Sequence, residues 1–303
     1  MEWTPDQQAL GGLGLAGVCR ETCRVIRRAM PPDFVNLVPP LLSALLLATS
    51  AAIHILRSRV LSDLHHDGPS LLRLVTDRLA FFLFVAVSTG LVLLLMLLCT
   101  AAYVFCVASL YCTGGDLRAA DRVVRGFPTV PLARLLCTFL LAAGPFLVIC
   151  TSLFVSALFH PQELLGAPDK IMLPMQLLGW AACLAGAAYV AVVCQLACVV
   201  SLLEDTMLLG ALRKSRALLA GKFWAAAGVF VTLDGCIFAV LVAFPVLAVD
   251  DALGPSLGFQ VAYGAATAVA LSAVVLFTLV AQPVVYMVCK NHHHEVVHKV
   301  HLD

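Results

Sequence analysis

Residues 203–224 read LEDTMLLGALRKSRALLAGKFW, a charged stretch that separates two long apolar runs. At 3.6 residues per turn, one face of this stretch is apolar and the opposite face holds Arg213 and Arg216. Glu204 and Asp205 precede the basic residues, an order that suits the dipole of a helix beginning at this point. A short helix with an apolar face and a basic face, joining two membrane spans, is predicted to lie in the lipid headgroup plane.

The composition of the whole chain places it among membrane proteins. Of its 303 residues, 61% are hydrophobic and only 12% are charged, whereas a soluble domain carries about 25% charged residues. The mean hydropathy is +0.98. The apolar runs are too long for the ten-residue alternation of a membrane β-barrel, so the predicted class is an all-α integral membrane protein. The net charge of +1 gives no indication of nucleic-acid binding.

The apolar runs divide the chain into six predicted transmembrane helices within a single polytopic domain. These spans cover about residues 34–56, 79–111, 135–159, 171–203, 223–249 and 257–289. Residues 11–30 carry four arginines on one side of a helical projection and predict a second interfacial helix. Residues 290–303 form a predicted cytosolic tail after the last span.

The distribution of basic residues predicts the orientation of this domain. Four lysines and arginines precede the first span, four follow the second, four follow the fourth, and two lie in the tail, so fourteen of the 19 are on the side of the termini. The opposite side holds the other five. Cytosolic loops carry an excess of lysine and arginine. Both termini are therefore predicted to be cytosolic, in an endomembrane or in the plasma membrane.

Three stretches carry a resemblance to known families. They are VCRETCRVIRRAM (18–30), CQLACVVSLLEDTMLLGALRKSRALLAGK (194–222) and VVYMVCKNHHHE (284–295). With them the chain resembles a plant family of six-span transmembrane proteins without an established activity. The connector at residues 204–224 is also distantly similar to bacterial integral-membrane families of the glycerophosphodiesterase membrane-domain type. The resemblance implies architecture, and no hydrolase activity follows, since the catalytic domain of that name is a separate one.

Asp234 and the basic connectors are the predicted functional residues. Asp234 lies about 11 residues into the fifth span, where a carboxylate is costly and by default indicates function. It is a predicted intramembrane ion or proton site, and a structural, hydrogen-bonded aspartate is the alternative. The predicted lipid-headgroup contacts are Arg118, Arg122, Arg125, Arg213, Lys214, Arg216 and Lys222.

Histidines and cysteines predict no metal site and no cofactor. Adjacent His65 and His66 are interpreted as part of a solvated loop, and the tail histidines His294, His298 and His301 as an unstructured tail, with zinc binding as the less favoured alternative. Most cysteines lie in apolar runs, where they pack as small hydrophobic residues. Cys19 and Cys23, beside arginines at the predicted membrane edge, are either S-palmitoylation sites or free thiols.

Three functional hypotheses follow from these patterns. The first is a non-enzymatic membrane protein whose basic interfacial helices contact anionic membrane lipid. The second is a small-solute or ion transporter or channel that uses Asp234. The third, an enzyme, is disfavoured because the chain has no HExxH, GxSxG or P-loop motif. The predicted partner is membrane lipid, nucleic acid is not expected, and the sequence indicates no protein partner.

Overall fold

The computed structural model describes residues 13–30, 35–66, 71–113, 135–137, 139, 169–204, 206, 209–248 and 257–292. Within these residues the secondary structure is helical, without a strand, in agreement with the predicted all-α class. The helices whose bounds the described residues define are α1 Leu15–Ala29, α2 Val38–His66, α3 Leu71–Thr113, α4 Asp169–Leu203, α5 Leu209–Leu219, α6 Phe223–Ala248 and α7 Leu257–His292.

Five of these helices are long and apolar enough to cross a membrane. The candidate spans are Val38–Ser58, Leu79–Tyr111, Ala181–Leu203, Phe223–Ala248 and Gly258–His292. They indicate a multi-pass membrane protein, and each overlaps one of the six predicted spans. The remaining predicted span, about residues 135–159, lies outside the described residues except for 135–137 and 139.

The α1 helix separates buried residues from exposed arginines. It begins four residues later than the predicted interfacial helix and ends at Ala29, just before Pro31 and Pro32 in the sequence. Its buried side chains recur at helical spacing, and they are Val18, Thr22 and Val25. Its exposed basic side chains are Arg20, Arg24 and Arg27. This arrangement gives α1 one face toward the protein and another away from it.

The α2 helix differs from the sequence prediction at both ends. It begins at Val38, later than the predicted start at about residue 34, and Pro39 and Pro40 lie in its first turn, where a missing backbone N–H removes no helical hydrogen bond. At the other end the helix continues to His66, although a loop was predicted for His65 and His66. The sequence from Arg57 to His66 contains no glycine or proline, so nothing in it stops the helix.

The described residues belong to two compact units. The first draws on the described residues within Met1–Glu21, Asp121–Val231 and Ala281–Asp303, and within it α5 packs against α4. Each residue from 281 to 290 of α7 is buried, so this stretch of the helix is buried on all sides. The second draws on Thr22–Ala120 and Thr232–Val280, where α2 packs against α3 and Ser50 Oγ donates to Leu241 O at 2.6 Å.

Candidate functional site

Glu204 is the residue around which the polar contacts of the first unit converge. Its backbone N–H donates to Val200 O at 2.9 Å, and its own carbonyl accepts from Thr206 N at 2.8 Å. Glu204 therefore continues the last turn of α4. The sequence placed it at the start of the amphipathic helix, but α5 begins only at Leu209. An anion at a helix C-terminus opposes the helix dipole, so this carboxylate requires nearby cations.

Three side chains from two other helices bind this carboxylate. Tyr286 Oη donates to Glu204 Oε1 at 2.6 Å, and Lys290 Nζ donates to the same oxygen at 2.9 Å. Lys214 Nζ lies 3.0 Å from Glu204 Oε2. Lys290 Nζ also donates to Tyr286 Oη at 3.1 Å, so the phenol accepts one hydrogen bond and donates another. These four residues are called the Glu204 cluster below.

The cluster contains a buried ion pair and a more exposed one. The Lys290 side chain is 6% exposed and that of Glu204 12%, whereas Lys214 is 35% exposed. Burial alone would raise the pKa of Glu204, but hydrogen bonds from Tyr286, Lys290 and Lys214 outweigh it and hold the pKa below its ordinary value. The carboxylate is therefore charged at neutral pH. Two lysines against one carboxylate give the cluster a net charge of about +1.

The end of α7 supplies two members of the cluster from one helix face. Tyr286 and Lys290 are four residues apart and therefore lie one above the other on that face. The sequence assigned Lys290 to a cytosolic tail that began at this residue. In the structure the helix continues to His292 and Lys290 is buried, because its ammonium group is paired with Glu204.

The α5 helix is held to α4 by its buried face. Ala211, Ser215, Leu218 and Leu219 are buried, and all four belong to the face that the helical projection makes apolar. Ser215 Oγ donates to Val193 O of α4 at 2.8 Å. This buried bond and the Lys214–Glu204 ion pair fix α5 both along its axis and about it.

The opposite side of α5 presents basic and apolar side chains together. Arg213 and Arg216 are exposed, and Leu209, one helical turn before Arg213, is 62% exposed. These three residues share one face at i, i+4 and i+7 spacing, and they are called the outer face of α5 below. Trp224, at the second position of α6, is 86% exposed. Arginine beside exposed leucine and tryptophan is typical of protein surfaces at a membrane interface.

The turn between α5 and α6 is fixed by its neighbours. Gly221 has a φ of 89°, a conformation that L side chains rarely adopt. A Cβ at Gly221 would lie 3.1 Å from His292 Nε2, so the turn also passes close to the end of α7. Lys222 Nζ donates to Leu13 O at 3.3 Å. The ammonium group of Lys222, a predicted lipid contact, is therefore partly engaged by Leu13, two residues before α1.

The other predicted site residues are distributed as follows. Asp234 is half-buried within α6. Arg118, Arg122 and Arg125 lie outside the described residues, as do the tail histidines His294, His298 and His301. Among the residues whose placement is described, no group of three or more histidine, cysteine, aspartate or glutamate side chains could hold a metal ion.

The chain was compared with known protein families, curated proteins and solved structures. A family model described as "Domain of unknown function (DUF8558)" matches residues 3–303. The chain belongs to this family. No curated protein and no solved structure matches it. The family accounts for nearly the whole chain, including every member of the Glu204 cluster, but its description assigns no activity to them. The plant family and the glycerophosphodiesterase-type families find no support in these comparisons.

Sequence reasoning missed the Glu204 cluster although a signal for it was present. Glu204 directly follows the fourth predicted span, Tyr286 lies in the last turn of the sixth, and Lys290 directly follows the sixth. Even-numbered spans of a six-span chain end on the same side of the membrane, so the predicted topology already brings these residues to one side. An acidic residue at one span end and a Tyr/Lys pair at i, i+4 on another then predict an ion pair between them.

Proposed function

We propose that this chain is a non-enzymatic, multi-pass membrane protein whose cytosolic surface binds anionic lipid headgroups through the outer face of α5. In this proposal the domain has six spans, both termini are cytosolic, and the membrane is an endomembrane or the plasma membrane. The distribution of lysine and arginine supports this orientation. The three sequence motifs noted above support kinship with six-span plant proteins.

The observation that carries the proposal is the exposure of Arg213 and Arg216 on a helix whose other face is anchored. A guanidinium group that is exposed beside exposed leucine can bind a phosphate while the leucine enters the acyl boundary. Each basic residue near an anionic membrane surface contributes about 1 kcal/mol. Two such residues on a fixed helix give about 2 kcal/mol, roughly a thirtyfold preference for anionic lipid.

The Glu204 cluster has a positioning role in this proposal. It joins the end of α4 to α5 through Lys214 and to α7 through Lys290. A short helix that is anchored at its inner face loses little conformational freedom when its outer face binds lipid. The cluster thus holds the arginines in place without contacting lipid through its buried members.

Trp224 allows the proposal to be tested with a local readout. This residue is 86% exposed and lies five residues after the end of α5. In a chain carrying Trp3→Phe and Trp180→Phe, Trp224 is the remaining tryptophan and serves as an energy-transfer donor. The full chain is reconstituted in phosphatidylcholine vesicles with a trace of dansyl-labelled phosphatidylserine or dansyl-labelled phosphatidylcholine. We expect more efficient energy transfer to the labelled anionic lipid than to the labelled zwitterionic one. This difference in transfer should decrease at high salt, because salt screens the attraction between the arginines and the anionic headgroups.

Matched variants identify the residues responsible. Arg213→Gln with Arg216→Gln should abolish the excess transfer, whereas replacing both by lysine should retain it because charge is kept. Arg57→Gln removes an exposed arginine on the predicted opposite side and should leave the Trp224 signal unchanged. Equal transfer to both lipids in the wild type would refute the proposal. An excess of transfer to the anionic lipid that is unchanged in the Arg213→Gln/Arg216→Gln variant would refute it as well.

A transporter or channel that uses Asp234 is the second candidate function. The observation in its favour is that this carboxylate is half-buried within α6, a helix long and apolar enough to span the membrane. Proteoliposomes loaded with a pH-sensitive dye and placed in a cation or proton gradient test it. Flux that Asp234→Asn abolishes would establish this function, and no flux from the wild type above that of empty vesicles would refute it.

A further inference from the structure

The cysteines of α1 lie at the boundary between its buried face and its arginine face. Successive residues of a helix are about 100° apart. Placing Val18 at zero, the buried residues fall within about 40° of it and the exposed arginines between about 180° and 240°. Cys19 and Cys23 fall between these two groups, at about 100° and 140°. Cys19 is half-buried and Cys23 is exposed, and both are free thiols.

This position suits a thiol that carries a fatty-acyl chain. If the arginines contact headgroups, a side chain between them and the buried face lies at the level where headgroups give way to acyl chains. An acyl chain on Cys23 would enter the bilayer beside α1 without displacing a buried residue. Cys106, Cys198 and Cys289 differ from them, because these three are buried inside the protein.

We propose that Cys23, and with it Cys19, is a site of S-acylation by a long-chain fatty-acyl thioester. This inference rests on the proposed function for the cytosolic side of α1, and on the predicted interfacial position of that helix. The thiol sulfur attacks the carbonyl carbon of the donor thioester. A new carbon–sulfur bond forms, the donor's carbon–sulfur bond breaks, and the proton of the cysteine passes to the departing thiolate. The exchange of one thioester for another involves no oxidation or reduction.

S-acylation would complete the membrane contact of α1. Basic residues and a single acyl chain each give reversible membrane attachment, and the two together give stable attachment. Arg20, Arg24 and Arg27 supply the first contribution, and acylated Cys23 would supply the second. Acylation would then strengthen the attachment of α1 to the membrane surface, and it would do so reversibly, since thioesters can be hydrolysed again.

Cys236 provides a matched control within the same chain. It is exposed like Cys23, but it lies about 20 Å along α6 from the first residue of that helix, at 1.5 Å per residue. That places its thiol well inside the span, away from the headgroup level at which the acyl transfer is proposed. An exposed thiol in the wrong place should therefore remain free.

The test uses the full chain from the membrane fraction of a eukaryotic cell line. Free thiols are blocked, thioesters are cleaved with hydroxylamine, and the newly exposed thiols are labelled. We expect hydroxylamine-dependent label in the wild type and in Cys236→Ser, a reduced amount in Cys23→Ser, and loss to background in the Cys19→Ser/Cys23→Ser double variant.

Mass spectrometry of the wild-type peptide that contains both cysteines locates the acyl group without any substitution. A peptide without an acyl group overturns the inference even if the double variant is not produced in folded form. Label that persists in Cys19→Ser/Cys23→Ser, or that disappears in Cys236→Ser, overturns it as well. Absence of the acyl group while the Trp224 energy transfer retains its anionic preference would reject S-acylation alone and leave the lipid-binding proposal standing.

Discussion

The replacement Glu204→Gln removes the negative charge of the Glu204 cluster while keeping the shape of the side chain. Lys290 then remains 5% exposed with its charge uncompensated. Removal of one partner of a buried ion pair destabilises a protein by about 3–5 kcal/mol. The glutamine carbonyl can still accept from Tyr286, and the site is 12% exposed at Glu204. We therefore expect a loss of about 3 kcal/mol, the lower end of that range, or roughly 150-fold in the unfolding equilibrium.

Two further variants separate the buried pair from the exposed one. Lys214→Met removes a partner that is 35% exposed, so its loss should be at most about 1 kcal/mol. Glu204→Gln combined with Lys290→Met removes both buried charges. A buried ion pair replaced by apolar groups of similar volume is often nearly neutral. The double variant should therefore be more stable than Glu204→Gln alone, with a coupling free energy of about 1.5 kcal/mol or more.

The assay is a titration of the detergent-solubilised full chain with sodium dodecyl sulfate, followed by circular dichroism. The free energies of unfolding of wild type, Glu204→Gln, Lys290→Met and the double variant give the cycle, and Lys214→Met is measured beside them. If Glu204→Gln costs no more than Lys214→Met, or if the double variant loses the sum of its two single losses, the cluster is not a buried, coupled ion pair and the reasoning fails.

The remaining predictions concern the pH dependence of the cluster and the packing of α5. The pKa of Glu204 is lowered by folding, so its contribution to stability is complete above the ordinary glutamate pKa of about 4.3 and is lost as the pH falls through the lower folded value. The difference in free energy of unfolding between wild type and Glu204→Gln should therefore be constant from about pH 8 to 5.5 and should decrease below about pH 4.3. A difference that already decreases between pH 7 and 5 would contradict this. Gly221→Ala should lower the free energy of unfolding by about 1–2 kcal/mol, because alanine at positive φ is strained and its Cβ meets the imidazole at the end of α7. The control Gly210→Ala, in α5 with only one ordinary contact, should be neutral or slightly stabilising, and equal effects at both positions would reject the strain argument. Ser215→Ala removes a buried hydrogen bond to α4 and should lower the free energy of unfolding by about 1 kcal/mol. The control Ser58→Ala removes an exposed hydroxyl that bonds its own helix and should lower it by less than about 0.5 kcal/mol in the same titration. Equal decreases for the two variants would contradict the packing of α5 on α4.

Much of the helical architecture could be predicted from hydropathy alone. A run of about 20 apolar residues crosses a bilayer as a helix because each backbone polar group must be bonded within the segment. The apolar runs of this sequence therefore predict the five candidate spans and the all-α class. It did not give the ends of the helices. Arg57 lies just beyond the predicted first span and Lys290 in the predicted tail, but α2 and α7 continue through these residues because neither glycine nor proline follows the predicted span ends.

The Glu204 cluster was harder to predict, because its members lie far apart in the sequence. Tyr286 and Lys290 are separated from Glu204 by 82 and 86 residues. Periodicity describes one helix at a time and carries no information on which helices pack together. The outer face of α5 was easier, since Arg213 and Arg216 are placed by the period of a single helix. The packing of its inner face on α4 through Ser215 could be recognised only from the structure.

The depth of Trp224 in the bilayer tests the central claim most directly, because the claim requires the α5 region to lie at the headgroup level. The single-tryptophan chain is reconstituted in anionic vesicles with lipids brominated at different depths of the acyl chain, and its fluorescence is also exposed to aqueous iodide. The account predicts strongest quenching by bromines nearest the headgroup and weak quenching by iodide. Strong quenching by iodide with none by any brominated lipid would place α5 in water and contradict it.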